Sequence, residues 1–160
     1  MKSSGRSSVV SCQKNEKLIR NYMSGLSYKE LLVWQRSMKL VTDVYKATST
    51  FPKSEMFGLA SQLNRAAVSI PSNIAEGQGR NSTKEFLYHL SVAYGSLMEV
   101  ETQVQIAANL SFVNNSTLEI LFTQCREVGR MLNGLTKSLR AKATNVDRPN
   151  PDHKQLTTDN

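Results

Sequence analysis

The stretch LEILFTQCREVGRMLNGLTKSL, Leu118 to Leu139, decides the fold. Leu118, Leu121, Cys125, Val128, Leu132, Leu135 and Leu139 recur at spacings of three and four without a break. A stripe of that period stays on one side of an α-helix and packs into a neighbouring helix at a shallow crossing angle. The spacing predicts a helix over about 117–142 that must bury its stripe against other helices.

The rest of the chain supplies three partners. Helices are predicted over about 28–47, with the seam Leu31, Trp34, Met38, Val41, Tyr45, and over 55–76, with Met56, Leu59, Leu63, Ala66, Ala67, Ile70 and Ile74. A third, over 83–109, carries Leu87, Leu90, Tyr94, Leu97, Glu101, Val104 and Ala108. Three starts carry an S-x-x-E capping box, at Ser27/Glu30, Ser82/Glu85 and Ser116/Glu119. There the serine oxygen takes the N3 amide and the glutamate reaches back to the cap amide. The fourth start is Ser54, with Glu55 placed to complement the helix dipole. No alternating apolar pattern bounded by turns predicts a strand. Short links at 48–54, 77–82 and 110–116 make successive helices antiparallel neighbours. The expected fold is all-α, an antiparallel up-down-up-down four-helix bundle at 27–142. A basic, flexible extension at 1–26 and a disordered tail at 143–160, rich in Pro, Asn and Asp, flank it.

Composition excludes several classes. The uncharged, mostly apolar run Phe86 to Met98 has 13 residues, too few to span a bilayer. The first residues lack the apolar run of a signal peptide, so a cytoplasmic protein without membrane contact is expected. Cys12 and Cys125 lie far apart and read as free thiols. His89 and His153 are the two histidines, and no cluster of His, Cys, Asp or Glu has the spacing of a metal motif such as HExxH or CxxC. An ExxH di-metal motif is absent, because Glu85 precedes His89 by four residues. No cofactor and no enzymatic activity are expected.

Charge points toward a polyanion. The net charge is +7. Residues 1–26, with Lys14, Lys17 and Arg20, hold +4; residues 126–142 hold another +4; residues 27–125 balance to zero. Arg126, Arg130, Lys137 and Arg140 fall within about 80° on the last helix, with Lys142 following. Such a stripe can track phosphates. Exposed aromatics that could stack bases are few, Tyr22 and Tyr28 being the candidates, so recognition of RNA or DNA by charge and shape is expected. The rival is a protein-interaction scaffold without nucleic-acid contact, and an ordinary solvated face would also carry such charges.

One segment resists the ordinary pattern. AAVSIPSNIAEGQGR, Ala66 to Arg80, has no charge between Arg65 and Glu76 and contains Pro71. Gln62, Arg65, Ser69, Asn73 and Glu76 share one stripe of its helix, mostly amide and hydroxyl. Groups of that kind suit a half-buried hydrogen-bond network. Glu101 stands where the third helix calls for an apolar residue, so a pair of Arg65 with Glu101 or Glu99 is expected. Pro71 should loosen the helix near Ala67. The segment GQGR at 77–80 lacks the strand and the GK[ST] of a phosphate loop. Gly77 or Gly79 in a left-handed conformation is expected to close the helix.

The motifs VWQ at 33–35, FP at 51–52, SIPSNIAEG at 69–77 and GSLMEVET at 95–102 resemble the four-helix bundle protein family. That family was first noted as products of intervening sequences in bacterial large-subunit rRNA genes, and the resemblance covers roughly 28–140. It implies a homopentameric ring, with no catalytic activity established. More distantly the chain is similar to the accessory protein of diversity-generating retroelements. That branch implies work beside a reverse transcriptase and its template RNA, with a scaffold for that enzyme as the alternative role. Gln62, Arg65, Ser69, Asn73, Glu76, Gly77, Arg80, Gly95 and Glu99 stand at the family's motif positions. The resemblance implies subunit contacts or a polar network for them.

Overall fold

The computed structural model describes residues 27–145. Four long helices carry them: α1 (Leu32–Thr48), α2 (Leu59–Gln78), α3 (Thr83–Asn109) and α4 (Asn115–Asn145). Two 3-10 turns, Tyr28–Glu30 and Lys53–Glu55, precede α1 and α2. The described residues contain no strand. Each helix packs on its sequence neighbour, and α1 also packs on α4, which closes a four-helix bundle.

The predicted starts meet different fates. Ser27 and Glu30 form a complete capping box, but it caps only the 3-10 turn, because Leu31 is extended and α1 starts after it. At α2 the capping group is the Glu55 side chain rather than Ser54. Its Oε2 accepts the Leu59 amide at 3.1 Å, and α2 begins at Leu59. Ser82 caps α3 through the Glu85 amide, while the Glu85 carboxylate turns to the Ser82 hydroxyl. α4 is capped by Asn114, whose Oδ1 takes the Thr117 amide at 2.8 Å, so the Ser116/Glu119 box is not used. α4 also runs three residues beyond the predicted boundary, into 143–145.

α3 ends in a Schellman motif. Ser111 adopts φ 61, its amide reaches the Ala108 carbonyl, and the Phe112 amide reaches the Ala107 carbonyl. This turn aims the Phe112 ring at Phe51 in the α1–α2 connection, with centroids 5.4 Å apart.

The α4 stripe lies where the sequence places it. Leu121, Cys125, Val128, Leu132 and Leu139 are buried, with Leu118 and Leu135 at the edge. α2 buries Leu63, Ala66, Ala67, Ile70 and Ile74, while Met56 lies outside the helix and is exposed. α1 departs from expectation. Its core stripe is Val33, Ser37, Leu40, Val44 and Ala47. The predicted seam is rotated outward, with Tyr45 49% exposed. Ser37 is tolerated in the core because its hydroxyl donates to the Val33 carbonyl at 2.7 Å. On α3, Leu90, Leu97 and Val104 are core as expected, joined by Phe86, Ala93, Ser96, Val100 and Ala107.

Pro71 is buried inside α2, which runs through it unbroken. Nearby side chains bond to main-chain carbonyls one turn back: Ser72 Oγ donates to Val68 and Asn73 Nδ2 to Ser69. Gly79 is the C-cap, as expected, but in a right-handed conformation, and Gly77 lies buried within the helix. Its use is close approach: a Cβ there would sit 2.7 Å from His89 Cβ and 2.8 Å from Phe86 Cδ2.

Candidate nucleic-acid interface and polar seam

The uncharged stripe of α2 meets α3 along a hydrogen-bonded seam. Ser96 Oγ lies 2.9 Å from Ser69 Oγ, and Asn73 Nδ2 donates to the same Ser69 hydroxyl at 3.1 Å. Because the Asn73 amide nitrogen is thus engaged, its Oδ1 faces His89 Nδ1, 3.1 Å away, as acceptor. His89 Nε2 points toward the Glu76 carboxylate at 3.9 Å, and Glu76 also takes Arg80 one turn on. The seam therefore contains Ser69, Asn73, Glu76 and Arg80 from the expected set. It adds Ser96 and His89, which the sequence pattern assigns to a hydrophobic helix. The polar spacing Ser69–Asn73–Glu76 is legible in the sequence of α2. The matching His89–Ser96 step of seven on α3 is the signal that could find their partners.

Four expected members stand apart. Arg65, Gln62 and Glu99 are exposed, and no Arg65 pair with Glu99 or Glu101 forms among the described residues. α3 sits in a register that buries Val100 and turns Glu99 to the outside. Glu101 is half-buried beside Cys125 of α4. Burial, then the neighbouring Glu101 carboxylate, pushes the Cys125 thiol up to about 12, partly offset by Arg126. That thiol is a packing group rather than a nucleophile.

The cationic face of α4 is assembled as the spacing requires. Arg126, Arg130, Lys137 and Arg140 are all exposed. They rise over about 21 Å along the helix. Glu127, the acid beside them, turns away and pairs with Arg36 of α1 at 3.2 Å. Arg130, Lys137 and Arg140 have no ion pair among the described residues, and Arg126 donates to the Thr123 hydroxyl at 2.9 Å. Glu119 lies on the same side one heptad before Arg126 and bounds the patch. Lys142 is exposed but sits about 160° around the helix from Arg126, off the stripe. Lys14, Lys17 and Arg20 lie outside the described residues.

α1 and α4 are also tied by a charged cluster. Asp43 accepts from Lys39 at 2.7 Å, Gln124 of α4 at 2.7 Å and Lys46 at 3.2 Å. Burial alone would raise its carboxyl, but these three donors overcome it and hold it at about 2. Among the described residues no three of His, Cys, Asp or Glu converge as a metal set, and no helix is long and apolar enough to cross a membrane.

A four-helix bundle with a polar α2–α3 seam and an unneutralised cationic outer helix defines the class. Residues 29–134 match the family described as 23S rRNA-intervening sequence protein, and the chain belongs to that family. In a solved structure, a Bacteroides thetaiotaomicron protein described as of unknown function and from the S23 ribosomal protein family has a similar fold. The two share 18% identity with a TM-score of 0.63, over 70% of this chain and 99% of that one. No curated protein matches the chain.

Proposed function

We propose that the protein is a non-enzymatic, cytoplasmic accessory protein that binds the phosphate backbone of RNA through the outer face of α4. The observation that carries this reading is the run Arg126, Arg130, Lys137, Arg140, whose nearest acid is drawn off by Arg36. Cations left without counter-charges release condensed counterions from a polyanion on contact. The helices run up-down-up-down, supported by the short links 49–58, 79–82 and 110–114 and by the packing of sequential helices. Copies assemble into a pentameric ring that repeats the stripe around its rim. Arg65 and Glu99, without an ion pair among the described residues, and Phe57, 91% exposed, leave surface for subunit contacts.

The test is the triple variant Arg130→Ala, Lys137→Ala, Arg140→Ala, titrated with single-stranded RNA at several salt concentrations. Affinity should fall uniformly across sequences, because cations that meet phosphates carry no base information. The slope of log affinity against log salt should shrink by up to about 0.7 for each phosphate that a removed cation had neutralised. Unchanged affinity and slope overturn the α4 interface. If deleting residues 1–24 then abolishes binding, the N-terminal cations are the binding element; if neither change matters, the scaffold reading replaces it. Light scattering should return a mass well above the 17.9 kDa of one chain, and a monomer would remove the ring.

A further inference from the structure

Gly134 has no use inside the chain. It lies well within α4, so it closes no helix end. No glycine among the described residues has a positive φ, so it serves no left-handed turn. It is exposed, and beyond its own helix backbone and chain neighbours nothing lies within 4 Å of where a Cβ would stand. Gly77 and Gly129 differ. Both are buried, and a Cβ would meet His89 and Phe86 in the first case and Leu97, at 3.3 Å, in the second. Apart from proline, glycine is the poorest helix former, so the fold alone favours almost any other residue at 134.

The position falls within the cationic stripe. Arg126, Arg130, Lys137 and Arg140 are spaced by four, seven and three residues, and Gly134 stands where the step of seven skips a turn. Arg130 lies one turn before it and Lys137 one turn after, with the exposed Ser138 next to Lys137. Neither cation has an ion pair among the described residues. Building on the α4 interface proposed above, we propose that Gly134 seats a phosphodiester of the RNA strand between Arg130 and Lys137. Without a Cβ, a phosphate oxygen can approach the main chain to about 3.3–3.6 Å, the distance of a Cα–H···O contact. The two cations, about 10 Å apart along the axis, then rise on either side of the phosphate instead of reaching over an intervening side chain. A shorter charge separation strengthens the attraction as its inverse. Gly95 on α3 is equally open, but its neighbours one turn away are Ser91, Val92, Met98 and Glu99, an acid and no cation. Of the two open glycines, only the one on α4 has the charges that a phosphate needs.

The test titrates a fluorescently labelled oligouridylate with full-chain Gly134→Ala, Gly134→Leu and the triple cation variant Arg130→Ala, Lys137→Ala, Arg140→Ala. Both glycine variants should keep the wild-type assembled mass and melt no lower than wild type, because nothing in the chain occupies the position. Gly134→Leu should bind about tenfold more weakly, and its salt slope should shrink by about 0.7, the loss of one phosphate contact. Gly134→Ala should fall between Gly134→Leu and wild type. Wild-type affinity of Gly134→Leu beside a weakened triple variant overturns the seat and leaves the α4 interface standing. Wild-type affinity of all three variants removes both. A lower assembled mass for Gly134→Leu also overturns the seat, because it gives the position to a second copy.

Discussion

At the scale of single residues, two glycines on facing helices have opposite meanings. Gly77 lets α2 approach His89 and Phe86 so closely that no Cβ fits without displacement. Gly77→Ala should cost about 1–3 kcal/mol, the usual penalty for overpacking, and lower the melting temperature by several degrees. Gly95 on α3 has nothing within 4 Å of where its Cβ would stand. Gly95→Ala should therefore stabilise by about 0.5–1 kcal/mol, because a mid-helix glycine wastes backbone entropy. If thermal melts of the two variants move in the same direction, the close α2–α3 crossing at Gly77 is misassigned.

At the scale of elements, charge fixes which helix ends hold together. Asp43 keeps a carboxyl at about 2 in the folded chain, against an ordinary value of 3.8. A folded value below the unfolded one stabilises above about pH 4, and that contribution disappears as pH falls toward 2. Because the lysine partners of Asp43 are exposed, solvent screening holds that contribution to about 1 kcal/mol or less. Urea melts of wild type and Asp43→Asn should differ at pH 7 and converge near pH 2; a constant gap across that range would refute the linkage. Arg65 is the contrasting case. Exposed on α2 and without an ion pair among the described residues, it should tolerate Arg65→Ala with a change of about 0.5 kcal/mol or less. A loss of several kcal/mol together with a lower assembled mass would place Arg65 at a subunit contact. The same elements show what is legible in the sequence. α4 is readable because it has one apolar stripe, and the start of α3 because Ser82 and Glu85 signal it. The orientation of α1 is not, because it has two apolar stripes at helical spacing. The one that faces inward is interrupted by Ser37, whose hydroxyl is satisfied by its own helix. Likewise the polar residues of α2 announce a network, while their partners do not. His89 lies among apolar neighbours in sequence, and its pairing with Asn73 depends on how α3 is rotated.

At the scale of the whole molecule, the four helices are not equal neighbours. α2 and α3 form the most extensive helix pair, they share the polar seam, and only residues 79–82 separate them. Pairing across so short a connection closes little loop entropy, so it can form before any pairing that involves α1 with α4, whose residues Asp43 and Gln124 are 81 positions apart. We infer that refolding begins as an α2–α3 hairpin. Pulse-labelled hydrogen exchange should protect amides of Leu63–Ile74 and Leu90–Val104 ahead of those in α1 and α4. Simultaneous protection of all four helices would rule out that order. On a chain emerging from the ribosome, the hairpin would then stand complete before α4 has been fully made, and the last apolar stripe would emerge onto a surface already waiting to receive it.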